Sequence, residues 1–304
     1  MVSEERKTRL FLIGNGLDVA HGLPTKFVPD FKNIAQGKEI NNWFWDVYHT
    51  EEAEIWSDFE RLLAKPNFDE LGQIFDGYAP DYSSDHEYDR DSIITQADSS
   101  GKLDESLQVF ASNAERGLST ANPHYLYRNL FKQDDLFINF NYTHTLEKLY
   151  GIPRDRVLHI HGEAGGNGKL LLGYDADDFN AGTISEDVTM RGRYRNVPTK
   201  DYIDRIGDSY ISKAYEGLYK KIASWGKPLQ TDKLSHFVGD VVIDEIVVIG
   251  FSFGKVDAPY FILLQKLNPN CKFTITAHTK KEIDEYQAQI NKYYAIDNYH
   301  IELL

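Results

Sequence analysis

Cysteine is nearly absent from this chain of 304 residues, in which Cys271 is the single one. One cysteine excludes an internal disulfide and a zinc site made of several cysteines. Long apolar runs are also missing, because no stretch approaches the roughly 20 apolar residues that a helix needs to cross a bilayer. The N-terminal MVSEERKTRL lacks the apolar core of a signal peptide. We therefore expect a cytoplasmic protein without a membrane span.

Positive charge is scarce as well. The chain has 33 Lys and Arg against 47 Asp and Glu, which gives a formal net charge of −14, and it contains no long basic run. A surface of this sign repels nucleic acid and anionic membranes. Hydrophobic residues make up 41% and aromatic residues 13% of the sequence, as in folded globular proteins. We expect a small-molecule ligand and no direct nucleic-acid binding, and the oligomeric state stays open.

The stretch LFLIGNGLDVAHGLPTKF begins with a short apolar run and continues into closely spaced glycines. Residues 9–13 are too few and too apolar for a surface helix and predict a buried strand. Without a Cβ, Gly14 and Gly16 allow a sharp turn and let a phosphate approach the backbone. Val19 occupies the position of the third glycine in the usual dinucleotide fingerprint. Two interpretations stay open: a dinucleotide-binding loop, or an ordinary turn from strand to helix.

Short apolar, β-branched or aromatic runs recur later in the chain. Together with the first run they predict strands at 9–14, 136–140, 156–161, 245–251 and 272–277. A segment of helix length, 141–150, separates the second strand from the third and gives βαβ spacing. We expect an α/β fold with a Rossmann-like parallel sheet.

The rest of the chain is assigned around this sheet. KLLLGY (169–174) predicts one further strand. The segments at about 28–125 and 176–240 interrupt the alternation of strands and helices, and we expect them to be helical insertions. The whole chain, 1–304, is then a single α/β domain with a lid or second lobe.

The stretch NFNYTHTLEKLY opens at the end of a predicted strand with Asn139 and Asn141. In an open α/β sheet, ligands bind at the carboxyl ends of the strands. An asparagine amide offers a donor and an acceptor together, which suits a ribose hydroxyl, a carboxamide or a water. The alternative interpretation is that these residues cap the helix that follows.

The stretch HIHG also lies at the end of a predicted strand. On a strand His159 and His161 point to the same face, because the side-chain period is two. Either histidine is suited to act as a general base near neutral pH. The pair is equally suited to bind a metal together with Asp175, Asp177 or Asp178.

The stretch VVIGFSFGKVDAPY (247–260) is a predicted buried strand that continues into a polar loop with Ser252 and Asp257. The residues around this serine do not form the Gly-x-Ser-x-Gly elbow that presents a catalytic nucleophile. We therefore do not predict Ser252 to be a nucleophile.

Taken in order, these four stretches resemble the signatures of the AbiH family of phage abortive-infection proteins, from one end of the chain to the other. More distantly, they resemble the sirtuin family of NAD-consuming enzymes. The segment beginning at Gly14 is similar to the sirtuin glycine loop, and Asn141 falls on its ribose-binding asparagine. His161 falls on the catalytic histidine, and Gly250 to Phe253 fall on the segment that contacts the adenine-side ribose and phosphates.

The departures from the sirtuin pattern are specific. Thr25, Lys26 and Phe27 replace Asp-Phe-Arg, Thr143 stands where sirtuins have aspartate, and the zinc-ribbon cysteines are absent. A sirtuin binds its acyl-lysine beside that zinc module. The resemblance therefore implies a sirtuin-like core without a zinc module, and an NAD hydrolase rather than a deacetylase.

The resemblance implies a phage-defence effector that binds NAD and hydrolyses its nicotinamide–ribose bond, with no metal required. The implied catalytic residues are His161, Asn141 and Asp18. The implied contacts of the dinucleotide are Gly14, Asn15, Gly16, Asn139, Gly250, Ser252 and Asp257. Two alternatives stay open, a non-catalytic sensor of NAD or ADP-ribose and a metal-dependent phosphoesterase.

Overall fold

The computed structural model describes residues 8–38, 47–48, 59–71, 87–99, 102–187 and 194–304. Contacts divide the chain into two compact units. Unit 1 consists of Met1–Lys26, Leu107–Leu171 and Leu229–Leu304, and unit 2 of Phe27–Ser106 and Leu172–Pro228. The assignment of 1–304 to one domain with insertions at about 28–125 and 176–240 stays a prediction.

The strands of the described residues lie in one large sheet and two small ones. They are β1 Arg9–Ile13, β2 Leu136–Asn139, β3 Val157–His159, β4 Tyr174–Asp175, β5 Thr183–Asp187, β6 Tyr194–Pro198, β7 Gly226–Lys227, β8 Glu245–Ile249, β9 Lys272–Ala277 and β10 Tyr299–Leu303. The six-stranded sheet belongs to unit 1 and has the order β10-β9-β8-β1-β2-β3. All its neighbouring strands are parallel. The predicted α/β fold with a parallel sheet is confirmed.

The path of the chain through this sheet determines where a ligand can bind. The chain starts in the middle at β1, moves outwards through β2 and β3, and then returns to the other side of β1 through β8, β9 and β10. Numbered along the chain, this is the order 3-2-1-4-5-6 of the Rossmann fold. The direction reverses between β1 and β8, and a crevice for ligands forms at the carboxyl ends of the strands at such a switch point.

The central strand shows why these residues form a sheet that is buried on both faces. Leu10 and Leu12 pack in one hydrophobic core, and Phe11 and Ile13 pack in the other. All four side chains are fully buried. Burial of each such side chain stabilises the fold by about 1.5–3 kcal/mol. Continuous apolar runs are typical of parallel strands covered on both sides.

Helices connect the strands of unit 1. They are Asn15–Ala20, Tyr125–Arg128, Thr145–Tyr150, Thr231–Val238, Ala258–Leu267 and Lys280–Gln289, and a further helix, Leu103–Gly117, contains residues of both units. The helix Lys280–Gln289 begins with a capping box, in which Thr279 Oγ1 accepts from the amide of Glu282 and the Glu282 carboxylate accepts from the amide of Thr279.

Unit 2 contains strands as well as helices, whereas the sequence predicted helical insertions. Its helices in the described residues are Lys32–Lys38, Phe59–Leu63, Glu87–Ser99, Thr199–Ile203 and Ser209–Ala223. It also contains two small sheets, in which β4 pairs with β7 in parallel and β5 pairs with β6 in antiparallel orientation.

Among the residues that the structure describes, no helix combines the length and the apolar character that a bilayer crossing requires.

Two predicted strands differ most from the structure. The strand predicted at 156–161 ends at His159, and residues 160–161 form a turn. The strand predicted at 169–174 is wrong except for Tyr174. Gly173 has a φ of +151°, outside the range of a regular strand, and its backbone approaches the carbonyl of Trp225 too closely for any side chain.

Candidate functional site

The switch point is closed by contacts between glycines. We call Gly14, Gly16 and Gly250 the glycine junction. The amides of Gly14 and Gly16 donate to the carbonyls of Ile249 and Gly250, both at 2.8 Å. A Cβ on Gly250, which has a φ of +63°, would lie 2.6 Å from the Cα of Gly16. These glycines therefore let the loops after β1 and β8 touch each other, and their contact with a pyrophosphate stays a prediction.

The asparagines after β2 hold the loop that follows this strand. Asn139 donates its amide to the carbonyl of Thr143 and accepts from the amide of Asn141, both at 3.0 Å. Asn141 Nδ2 donates to the carbonyl of Gly14 at 2.9 Å. The helix Thr145–Tyr150 is instead preceded by His144 as its N-cap residue. The helix-capping interpretation is wrong, and Asn141 lies directly at the glycine junction.

Asp18 fastens the same loop from the other side. Its side chain is fully buried, and its two carboxylate oxygens accept hydrogen bonds from the hydroxyls of Thr143 and Thr145, each at 2.6 Å. Burial raises the pKa of Asp18 to about 6, although the two hydroxyls act in the opposite direction. The catalytic role that we expect for Asp18 stays a prediction.

His161 has a carboxylate partner that the sequence did not indicate. Its Nε2 lies 3.4 Å from Oδ1 of Asp257, and the residue is 4% exposed. The edge of the ring packs against Phe140, with centroids 5.3 Å apart. Asp257 ends the 3₁₀ turn Lys255–Asp257, which leads into the helix Ala258–Leu267. A buried histidine beside a carboxylate is suited to accept a proton from a substrate or water.

The loop after β8 presents Ser252 at the switch point. Phe251 and Phe253 on either side are buried with their rings 5.6 Å apart, and Ser252 between them is exposed. Phe253 has a φ of +56°, a left-handed conformation that a bulky residue rarely adopts. Strained backbone of this kind persists only where the surrounding packing imposes it, and it is concentrated at functional sites.

The second histidine of the HIHG stretch lies in a different place. His159 Nε2 lies 2.9 Å from Glu147 Oε1, and His144 Nε2 lies 3.0 Å from Glu163 Oε2. We call His144, Glu147, His159 and Glu163 the edge cluster, because His159 ends β3 at one edge of the sheet. The sequence named only His159 among them. His144 and Glu147 were recognisable in principle, because they are three residues apart on one helix face.

The predicted pairing of His159 with His161 is wrong. Because the strand ends at His159, the alternation of faces no longer applies at His161. His161 contacts Asp257, whereas His159 contacts Glu147. Asp175, Asp177 and Asp178, the further ligands under the alternative metal interpretation, belong to unit 2, whereas both histidines belong to unit 1.

Further charged residues support the edge cluster. Glu115 accepts hydrogen bonds from the backbone amide of His144 at 2.9 Å and from its Nδ1 at 3.1 Å, and it forms an ion pair with Lys148. Burial raises the pKa of Glu115, but the hydrogen bonds from His144 and Lys148 outweigh burial and bring this pKa to about 2. The hydrogen bond to Glu115 in turn raises the pKa of His144. Arg154 contacts Glu163 and Glu147.

A local similarity links the chain to two curated proteins. Over 87 residues, 28% of the chain, it is 30% identical to the phosphoglycerate kinases of Salinispora arenicola (strain CNS-205) and Salinispora tropica (strain ATCC BAA-916 / DSM 44818 / JCM 13857 / NBRC 105044 / CNB-440). The similarity covers 20% of each of these proteins. The chain thus spans about a fifth of the length of the curated relatives that it matches.

A family match extends much further. The sequence model of the family described as bacteriophage abortive infection AbiH matches residues 10–277, which include the glycine junction, the His161–Asp257 pair and the edge cluster. The resemblance to sirtuins stays a prediction. Because the match covers far more than half of its length, the chain belongs to the AbiH family of bacteriophage abortive infection.

Proposed function

We propose that this protein acts in phage abortive infection by binding NAD at the switch point between β1 and β8 and hydrolysing its nicotinamide–ribose bond. The part in abortive infection follows from the family. The strand order supports the ligand, because this order forms a dinucleotide crevice at the carboxyl ends of the strands. The motif residues Gly14, Asn141 and Ser252 all follow strands of this sheet at those ends.

His161 is the general base in this proposal. With Asp257 beside it, the imidazole of His161 accepts a proton from the attacking water. The nicotinamide leaves as a neutral molecule with the electron pair of its bond to C1′, and the water oxygen forms the new bond to that carbon. The products are nicotinamide, ADP-ribose and the proton on His161. The transition state has oxocarbenium character, as in glycoside hydrolysis.

Asn141 positions the ribose in this proposal. Its Nδ2 is committed to the carbonyl of Gly14, and within the described part of the chain its Oδ1 accepts no hydrogen bond. That oxygen is suited to accept from a ribose hydroxyl or from the attacking water. We assign to Asn139 and Asp18 the holding of the loop, because their polar atoms are already bonded within it.

The experiment is product analysis after incubation of the purified full-length protein with NAD. We expect wild type to release nicotinamide and ADP-ribose, and His161→Asn to lose about 10²- to 10⁴-fold in rate, the usual effect of losing a general base. His236→Asn is the matched control, since His236 is exposed on the helix Thr231–Val238. Thermal melts of each variant separate a catalytic effect from misfolding.

A second candidate is a sensor that binds NAD or ADP-ribose without cleaving it. Its support is Asp18, whose carboxylate is wholly engaged by Thr143 and Thr145 and is not directed at a ligand. Calorimetric titration with ADP-ribose distinguishes the candidates. Binding that depends on Asn141, together with no nicotinamide release by wild type, would favour the sensor. The absence of both binding and release would refute both.

A further inference from the structure

We propose that the edge cluster is a binding site for one divalent transition-metal ion of the zinc type, with His144 Nε2, His159 Nε2 and the carboxylate of Glu147 as ligands. Glu163 supplies the fourth ligand. This proposal is independent of the NAD proposal, because it concerns other residues and is tested by metal binding alone.

The distances between the donor atoms fit a small tetrahedral site. One ligand atom each from His144, Glu147 and His159 lies within 4.8 Å of the other two. His159 Nε2 lies 2.9 Å from Glu147 and 3.9 Å from Glu163. Bonds to zinc of about 2.0–2.2 Å place tetrahedral ligand atoms roughly 3.3–3.6 Å apart. The observed distances bracket this value, so that small side-chain rotations are sufficient to enclose an ion.

The donor types select the kind of metal. Two imidazole nitrogens with carboxylate oxygens suit zinc and its transition-metal neighbours. Calcium and magnesium prefer oxygen ligands throughout. The sequence excluded only a site made of several cysteines, and a histidine and carboxylate site needs none.

His144 is oriented as metal-binding histidines are. Its Nδ1 lies 3.1 Å from Glu115, while its Nε2 points towards Glu163 within the cluster. Histidine ligands almost always donate their second ring nitrogen to a carboxylate, a carbonyl or a water, which fixes the ring and makes it a better ligand. Glu115 is itself held by Lys148 and by the backbone amide of His144.

One buried atom of the cluster supports a missing cation. Within the described residues, Glu147 Oε2 is buried and accepts no hydrogen bond. The His159 side chain is 2% exposed. A buried carboxylate oxygen without a donor is costly. A metal bound to Oε2 of Glu147 would satisfy this oxygen.

The charges around the cluster also leave room for a cation. Glu115, Glu147 and Glu163 are three carboxylates, and Lys148 and Arg154 are the cations that reach them within the described part of the chain. One negative charge is left over. With neutral imidazole ligands, this surplus of negative charge favours a bound cation.

The position of the site suggests a positioning role. His144 follows the loop that carries Asn141, and His159 precedes the turn that carries His161. One ion would therefore tie together the two segments that supply the groups at the switch point. We infer that the ion stiffens these segments and does not take part in the chemical step.

The experiment measures zinc in the tag-free full-length protein by elemental analysis, followed by titration of the metal-free protein against a chromophoric chelator. We expect one zinc per chain and, with Co²⁺, the visible absorption of a four-coordinate ion. His144→Gln and His159→Gln are expected to lower the zinc affinity by more than about 100-fold, since loss of a supporting group alone costs 10- to 100-fold. His236→Gln is the control and should bind like wild type.

Two further variants test the charges. Glu115→Gln should weaken zinc binding by about 10- to 100-fold, as loss of an outer partner does. Arg154→Gln should strengthen it by roughly fivefold, because it removes a competing cation that contacts Glu163 and lies 3.8 Å from Glu147. Thermal melts of the metal-free variants identify any that fail to fold, and Arg154, which is 54% exposed, is the variant least subject to this.

Either of two results would overturn the proposal. One is wild-type protein without zinc that also fails to bind added zinc more tightly than about millimolar, far weaker than protein zinc sites. The other is zinc binding that is unchanged in both folded histidine variants, which would locate the ion elsewhere.

Discussion

Two regions at the carboxyl ends of the strands are built in opposite ways. At the glycine junction, backbone meets backbone, and Gly14, Gly16 and Gly250 make room for each other. In the edge cluster, ionisable side chains meet, and histidines face carboxylates at 2.9 to 3.0 Å. The first region cannot accommodate side chains, and the second consists of them. We propose the first region for the dinucleotide and the second for the metal ion.

The HIHG stretch shows how two neighbours in the sequence divide between these regions. His159 is the last residue of β3 and faces the edge cluster, whereas His161 lies in the turn and contacts Asp257. A difference of two residues in the end of the strand changes which partners each histidine has. Substitutions of the two histidines should consequently affect different properties. A His161 variant should lose catalysis, and a His159 variant should lose metal binding.

The largest loss of stability is expected for a substitution in the glycine junction. Gly250→Ala should destabilise the fold by about 3 kcal/mol or more, because its Cβ would overlap Gly16 and its φ is positive. Gly254→Ala in the same loop is the matched control, since no described residue lies within 4 Å of its Cβ. Its effect should stay within about 1 kcal/mol. Chemical unfolding measures both, and equal effects would contradict the close contact.

The next effect concerns Asp18, which holds the loop after β2 through Thr143 and Thr145. Its pKa is about 6 in the folded protein and about 3.8 when exposed, so the folded state binds the proton more tightly. Stability from this group is greatest below about pH 4 and falls by about 3 kcal/mol as the pH rises through 6. Asp18→Asn should lack this fall. The difference in unfolding free energy between variant and wild type, measured from pH 3.5 to 7, should show it, and a difference independent of pH would contradict the buried carboxylate.

A smaller effect tests the hydroxyls that hold Asp18. Thr145→Val keeps the shape but removes the 2.6 Å hydrogen bond to Asp18, which leaves a buried carboxylate oxygen without its donor. We expect a loss of about 1–3 kcal/mol in the free energy of unfolding. Thr120→Val is the control, because Thr120 is exposed and its hydroxyl donates to the nearby carbonyl of Gly117. Similar losses in the two variants would mean that the bond to Asp18 contributes little.

The smallest effect on stability is expected for a substitution of Ser252, in the loop after β8. Ser252→Ala should change the free energy of unfolding by less than about 0.5 kcal/mol, because Ser252 is exposed. The same change should weaken ADP-ribose binding by about 2- to 10-fold, the value of one hydrogen bond. Unfolding and calorimetry on one preparation give both numbers. Unchanged affinity would remove Ser252 from the proposed contacts.

The sequence predicted the fold better than the site. Continuous apolar runs such as LFLI are legible because a strand buried on both faces must be apolar throughout. The glycines were recognised, but their contact with each other was not, since it depends on how closely the ends of β1 and β8 approach. Gly14 and Gly250 are far apart in the chain, and no local pattern encodes that distance.

The charged partners of the histidines could not be predicted either, because no local sequence pattern links residues that are far apart in the chain. Asp257 meets His161, and Glu115 meets His144, only after the sheet and its helices have packed. The end of β3 was misjudged because HIH alternates apolar and polar residues like a strand, and only its hydrogen bonds show where pairing stops. The family match confirms the resemblance of the four sequence stretches to AbiH, and with it the part in abortive infection.

The most direct test of the central claim is an experimental structure of the full-length protein with ADP-ribose. We predict that the diphosphate crosses the glycine junction beside Ser252, and that the ribose which carried nicotinamide lies within hydrogen-bond reach of Asn141 and close to His161. A ligand bound away from the ends of β1 and β8, or no ligand at concentrations that saturate known dinucleotide sites, would contradict the account.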